Sequence, residues 1–207
     1  DWSSDVCSSD LNGNVPLSVS ATTVSTLLAP VLTPLFVVLY AGATSSIEIQ
    51  FMPMFISIVK IVLVPIILGI VLNYFIGAKI EPVKSVCPTI AAIAVLLILA
   101  AVTAVNQKQI AETGFIIFVA CLVQNLSGYV VTYLVCKALS IDVSSRRAMQ
   151  IEVAMQNSAL SVSLALKHFT PQAAVAGAVF SIIHNFTGSI FAGICRKHDD
   201  QEKLENA

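Results

Sequence analysis

One eight-residue run governs the interpretation of this chain, namely Ile151-Glu152-Val153-Ala154-Met155-Gln156-Asn157-Ser158. The run lies in an apolar segment, at about residues 144–168, that is long enough to cross a lipid bilayer. An ionisable side chain at membrane depth is costly unless a partner compensates it, so Glu152 is a candidate functional residue. Glu152 and Gln156 share one helix face, and carboxylate and amide oxygens together favour a hard cation. The alternative is a polar cluster that only holds helices together.

The composition is that of an integral membrane protein. Of the 207 residues, 57% are hydrophobic and 11% are charged, whereas soluble domains carry about 25% charged residues. The net charge is −1, and no basic patch suggests a nucleic-acid partner. The five cysteines have no paired spacing, so we predict neither a disulfide framework nor a cysteine metal motif. Residues 1–11 are polar, lack an initiating Met and have no signal-peptide pattern, and we expect them to be a non-native scar.

Six apolar segments are each long enough to span a membrane. We place them at about residues 14–41, 51–76, 84–105, 113–138, 144–168 and 171–195. Six crossings put eight Lys and Arg residues on the side of the two ends and two on the other side. The positive-inside rule therefore predicts a multi-pass protein of the inner (plasma) membrane with both ends of the chain in the cytoplasm. The last residues, 198–207 in this division, are a polar cytoplasmic tail that we expect to be disordered.

Hydroxyl groups of the first segment extend the predicted cation site. Ser18 and Thr22 are four residues apart on one helix face. Thr22 and Glu152 each lie eight residues into segments that start on the same side, so both sit roughly 12 Å along their helices. Sodium sites often add carbonyl oxygens freed where a helix is interrupted, and we predict such a break within residues 156–158. The alternative for Ser18 and Thr22 is an ordinary hydrogen bond back to the preceding turn.

Further polar side chains lie near the midplane, where transporters bind their substrates. They are Gln124 and Asn125 in the fourth segment, Asn157 in the fifth, and His184 with Asn185 in the sixth. We predict that Asn157 and His184 bind an organic anion or a polar solute. A satisfied interhelical hydrogen bond is the alternative for His184.

The polar residues described above, together with the motifs that the sequence lacks, indicate the class of function. The sequence has no zinc-protease motif, nucleophile elbow or glycine-rich phosphate loop, which disfavours an enzyme. No filter-like repeat supports a channel. We predict a sodium-coupled secondary transporter. The alternatives are a proton-coupled carrier that uses Glu152 as a relay, and a truncated membrane fragment that does not transport.

Three motifs resemble the bile acid:sodium symporter family, and the resemblance covers about residues 12–197. The motifs are residues 13–34, the run 152–158, and Phe180-Ser181-Ile182-Ile183-His184-Asn185. The resemblance implies an all-α, polytopic helical bundle with ten helices in two inverted repeats, of which this chain would supply the last six. It also implies a core domain and a panel domain. The core helices would be the segments 14–41, 113–138, 144–168 and 171–195, and the panel helices 51–76 and 84–105.

The same resemblance assigns two sodium sites. The first would use Ser18, Thr22 and Glu152. The second would use Glu152 again, the side chain of Gln156, and the backbone carbonyls of Val153 and Met155. The family's Ser-Asn pair and an earlier Gln, which complete these sites, have no counterpart here. The resemblance therefore implies that both sites are incomplete in this fragment, and that it is inactive without N-terminal helices of the same protein.

Asn157 and His184 match substrate-contacting positions of that family. The implied partners are an organic anion, such as a bile acid or a small carboxylate, and the lipid bilayer. The implied mechanism is symport by alternating access.

Overall fold

The computed structural model describes residue 8 and residues 10–44, 50–76 and 81–205. Within these ranges the chain is helical and contains no strand, which confirms the predicted all-α class. We label the helices α1 (Val15–Thr44), α2 (Phe51–Ile58), α3 (Val64–Ile76), α4 (Glu81–Val105), α5 (Gln107–Ala138), α6 (Val143–Ala154), α7 (Ser158–His168) and α8 (Ala173–Glu205). A π-helical turn, Val59–Leu63, joins α2 to α3.

All six predicted segments are helical, and the protein is a multi-pass membrane protein. Four helical stretches are long and apolar enough to cross a membrane, namely Val15–Tyr40, Phe51–Ile76, Ile110–Ala138 and Ala173–Gln201. The third predicted segment has a shorter apolar stretch, Thr89–Val105, within α4. The fifth is divided between α6 and α7, of 12 and 11 residues, because the helix breaks between Ala154 and Ser158. The sequence predicted this break within one residue of its place.

The end of the chain differs from its expectation. We expected residues 198–207 to be disordered, but α8 continues to Glu205, and residues 206–207 lie outside the described part. The physical reason is an ion pair near the start of α6: the Arg147 guanidinium donates to both carboxylate oxygens of Asp199, at 2.7 and 2.8 Å. A bidentate pair of this kind holds the last turns of α8 against α6.

The broken helix is enclosed by its neighbours. α6 packs between α1 and α5, whereas α7 packs mainly along α8. Around α6, the buried side chains of Ile151, Ala154 and Met155 cluster with Tyr129 of α5. Around α7, Val162 and Ala165 cluster with small residues at the start of α8.

Glycines allow this close approach. A Cβ atom on Gly177 of α8 would lie 2.9 Å from Val162 Cγ2, and one on Gly188 would lie 3.0 Å from Met155 Sδ. Lipid chains are as apolar as the side chains, so helices in a membrane associate through tight packing of small residues and through hydrogen bonds. The two glycines therefore place α8 directly against both halves of the broken helix.

The second and third segments, 51–76 and 84–105, are the predicted panel helices. Of the residues that the structure describes in α3, none is buried, and Ile67, Ile70 and Phe75 are all largely exposed. The ends of both segments nevertheless touch the predicted core, through Met54 and Ile58 near Leu164 of α7, and through Val102 near α8. The division into core and panel stays a prediction.

Candidate cation and substrate site

The first helix and the broken helix meet at Glu152. Ser18 Oγ donates a hydrogen bond to Glu152 Oε2 at 2.8 Å, and Thr22 Oγ1 donates to Glu152 Oε1. Ser18 is only 1% exposed, and Glu152 is half-buried. The predicted meeting of these two faces at one depth is therefore observed, and the three oxygen-bearing side chains lie together.

Polar caps hold α1 and α6 in this register. Asn14 accepts from the Leu17 amide at 3.1 Å, donates to Ser145 Oγ at 3.1 Å, and its backbone N–H donates to the Ser144 carbonyl at 3.2 Å. Asp142 caps α6 by accepting from the Ser145 amide at 2.9 Å, and this bond holds the pKa of Asp142 below its ordinary value. Because the helices start side by side, their hydroxyl and carboxylate faces coincide further along.

The break exposes backbone oxygens next to Glu152. The Met155 amide still donates to the Ile151 carbonyl at 2.8 Å, but Met155 then turns to φ −95° and ψ 97°. Ser158 N–H, which would bond Ala154 in a continuous helix, donates instead to the Gln156 carbonyl at 2.9 Å. Gln156 Nε2 lies 3.4 Å from the Val153 carbonyl, which is a long contact. Met155 therefore lies outside the helices and Val153 is the next-to-last residue of α6, so both stand at the break. Their carbonyls as sodium ligands remain a prediction.

Asn157 and His184 border one cavity of about 860 Å³, together with Glu152 and Gln156. Asn157 caps α7, since its Oδ1 accepts from the Leu160 amide at 3.0 Å. His184 is 5% exposed and stands edge-on to Phe180, with ring centroids 5.4 Å apart. Its Nδ1 is buried without a hydrogen-bond partner among the described residues. The alternative of a satisfied interhelical bond is therefore not observed at this atom.

The sequence did not predict the polar contacts that Asn125 makes at the break. Asn125 Nδ2 donates to the Ala154 carbonyl at 2.8 Å, and Thr187 Oγ1 donates to Asn125 Oδ1 at 2.7 Å. The sequence singles out Asn125 as a carboxamide at the centre of an apolar span, but it gives no sign of the partner. Thr187 carries no signal of its own, because hydroxyls in membrane helices commonly bond back to the preceding turn.

The donor set is that of a hard cation. No group of three His, Cys, Asp or Glu side chains that could hold a metal occurs in the described ranges. The candidate site instead combines one carboxylate with hydroxyl, amide and carbonyl oxygens, which suit a hard cation rather than a zinc or copper ion.

Comparison with known proteins identifies the family of the chain. The model of the Sodium Bile acid symporter family matches residues 3–113, more than half of the chain. The chain belongs to this family. The match begins at residue 3, inside the segment 1–11 that we interpret as a non-native scar, and that interpretation stays a prediction.

Curated relatives of the symporter family extend the similarity into the broken helix. An uncharacterized sodium-dependent transporter of Bacillus subtilis (strain 168), YocS, is 39% identical over 180 residues, covering 87% of this chain and 56% of the relative. Probable chloroplastic sodium/metabolite cotransporters named BASS1 are 37% identical over 192 residues in Oryza sativa subsp. japonica and over 186 in Arabidopsis thaliana. Those alignments cover 92% and 89% of this chain, and 47% and 46% of the relatives. The chain thus spans about half the length of the relatives it matches.

The two helix ends that meet at the break, those of α6 and α7, have opposite polarities. The C-terminal end of α6, at Ala154, carries partial negative charge, and the N-terminal end of α7, at Ser158, carries partial positive charge. Both ends lie at the same break. These polarities favour a cation beside Glu152 and a negatively charged group beside Asn157.

Proposed function

We propose that the intact protein is a sodium-coupled secondary transporter of an organic anion that works by alternating access. The observation that carries the proposal is the contact of Ser18 and Thr22 with Glu152 beside a broken helix. Family membership supports sodium as the coupled ion. The names of the relatives, a sodium-dependent transporter and sodium/metabolite cotransporters, also support it.

The chain contributes ligands to two sodium ions in this proposal. Ser18, Thr22 and Glu152 hold the first ion. Glu152 also faces the second, which adds Gln156 and the carbonyls of Val153 and Met155.

The substrate lies on the other side of the break. Asn157 uses its oxygen to cap α7, so its amide nitrogen is the group left to donate to a ligand. Asn157 Nδ2 and the imidazole of His184, which border the same cavity, can donate to a carboxylate. This pattern of donors favours an organic anion, such as a bile acid or a small carboxylate.

The proposed orientation places both ends of the chain in the cytoplasm of a plasma membrane. The charge bias of eight to two supports it. So does the cluster in which Arg147, at the start of α6, donates both to the Leu11 carbonyl and to Asp199 of α8. Leu11, Arg147 and Asp199 were predicted on the same side of the membrane, and they lie together in the structure.

The test is uptake of a panel of labelled organic anions by the intact protein in proteoliposomes, with external sodium chloride or choline chloride. We expect uptake of at least one anion to rise steeply with sodium and to be lost in choline. Equal uptake in both salts, with loss of uptake when a proton gradient is collapsed, would establish the proton-coupled carrier instead.

A further inference from the structure

Asn125 lies at the centre of α5 and reaches the break in the neighbouring helix. Its side chain is 1% exposed, and its Nδ2 donates to the Ala154 carbonyl at 2.8 Å. Ala154 is the last residue of α6 and stands between Val153 and Met155, the two residues predicted to offer carbonyls to sodium. The contact therefore falls on the one backbone oxygen that separates two proposed ligands.

The hydrogen bond from Asn125 pairs a backbone carbonyl that the broken helix leaves without its usual donor. In a continuous helix the Ala154 carbonyl would accept from Ser158, but that amide donates to Gln156. A carbonyl without a partner at membrane depth is strongly unfavourable. Asn125 supplies the missing donor from another helix, so the break is stable only with α5 in place.

The peptide group between Ala154 and Met155 is consequently held on both sides. Its carbonyl accepts from Asn125 at 2.8 Å, and its N–H donates to the Ile151 carbonyl at 2.8 Å. A peptide is planar, so fixing both of its polar atoms fixes its orientation. The carbonyls of Val153 and Met155, on either side of it, are then left to face other partners.

Thr187 determines which way the Asn125 amide points. Its Oγ1 donates to Asn125 Oδ1 at 2.7 Å, which favours the orientation in which the amide nitrogen faces Ala154. The same hydroxyl lies 2.9 Å from the Ile183 carbonyl and 3.3 Å from the His184 carbonyl, which also compete for its single proton. Thr187 thus connects the break to the turn of α8 that carries His184.

We propose that Asn125 and Thr187 are positioning residues of the sodium site. This inference rests on the proposed function. Asn125 donates to the Ala154 carbonyl, which leaves the carbonyls of Val153 and Met155 available to the ion. Thr187 keeps the Asn125 amide in the orientation that donates to Ala154. The alternative is a purely structural role, in which the pair only holds α5, α6 and α8 together, as Asn side chains often do in membranes.

The test is the thermal unfolding of the purified intact protein, titrated with sodium chloride at constant ionic strength maintained with choline chloride. A ligand that binds only the folded state raises its stability in proportion to ln(1 + [L]/Kd), so the titration yields the sodium Kd. The scan in choline alone reports the stability of each variant. The variants are Asn125→Ala, Thr187→Val and Thr187→Ser. Gln124→Ala is the matched control, because Gln124 is the adjacent carboxamide on α5 and is exposed.

We expect Asn125→Ala and Thr187→Val to raise the sodium Kd about three- to tenfold, the loss of one oriented hydrogen bond. Thr187→Ser and Gln124→Ala should keep the wild-type Kd. If Asn125→Ala does not fold, Thr187→Val decides, since it leaves the Asn125 donor in place. Lower stability in choline with an unchanged sodium Kd in both variants would overturn the positioning role. A wild-type protein that sodium does not stabilise at all would instead overturn the proposed function.

Discussion

At the scale of single residues, the two hydroxyls on Glu152 are the most specific feature of the molecule. We predict that Thr22→Val raises the sodium concentration for half-maximal uptake about tenfold or more. The change keeps the shape of the side chain but removes an oxygen ligand and a hydrogen bond to a carboxylate, and bonds to charged groups contribute about 1.5 to 3 kcal/mol.

Thr23→Val is the matched control for that experiment. The Thr23 hydroxyl is exposed and donates to the Val19 carbonyl of its own helix at 2.7 Å. Sodium dependence should be unaffected by this change. An identical response of the two valine variants would show that the hydroxyl of Thr22 has no special part in the site.

The substrate side makes a separate residue-scale prediction. Asn157→Ala and His184→Ala should each weaken substrate affinity by about 0.5 to 1.5 kcal/mol, or up to about 3 kcal/mol for a charged group. Sodium binding without substrate should remain nearly intact, because neither side chain contacts Glu152 in the described hydrogen bonds. Calorimetry with sodium first and substrate second separates the two steps. Loss of sodium binding in His184→Ala would contradict the division between ion and substrate.

At the scale of elements, the contact between α7 and α8 depends on Gly177. We predict that Gly177→Ala lowers stability by about 1 to 3 kcal/mol, the usual cost of overpacking. The new Cβ would lie 2.9 Å from Val162 Cγ2 and 3.3 Å from the Val162 backbone nitrogen, and a β-branched side chain yields little. Thermal unfolding in detergent measures the effect.

Gly193→Ala is the control on the same helix. A Cβ atom there meets nothing within 4 Å, so this variant should be at least as stable as the wild type. Equal stability of Gly177→Ala and Gly193→Ala would mean that the close approach of α7 and α8 does not contribute to the fold.

The elements also indicate how far sequence reasoning reaches. Apolar length predicted all six helical segments, and the polar run at 156–158 predicted the break, because both signals are local. Equal depth along two helices predicted that Ser18 and Thr22 would meet Glu152. The contact of Asn125 with Ala154 could not be predicted, since it depends on the rotation of α5 about its axis. The helical end of the chain was missed because its stabilising ion pair joins Arg147 to a residue 52 positions away.

At the scale of the whole molecule, the orientation in the membrane decides which side the ion reaches first. We predict that Ser140→Cys is labelled only from the cytoplasm and that Lys108→Cys is labelled from outside, in a protein without native cysteines. Both residues are exposed at the ends of α5. An impermeant thiol reagent applied to intact cells measures this. Labelling of Ser140→Cys from outside would reverse the proposed orientation.

Calorimetric titration of the intact protein with sodium chloride measures directly whether Glu152 binds sodium. The comparison is between wild type and Glu152→Gln, which retains the size and hydrogen-bonding reach of the side chain but removes its charge. We expect saturable heat for the wild type, and none for Glu152→Gln at sodium concentrations about tenfold above the wild-type Kd. Saturable sodium binding of equal affinity in a folded Glu152→Gln protein would contradict this expectation.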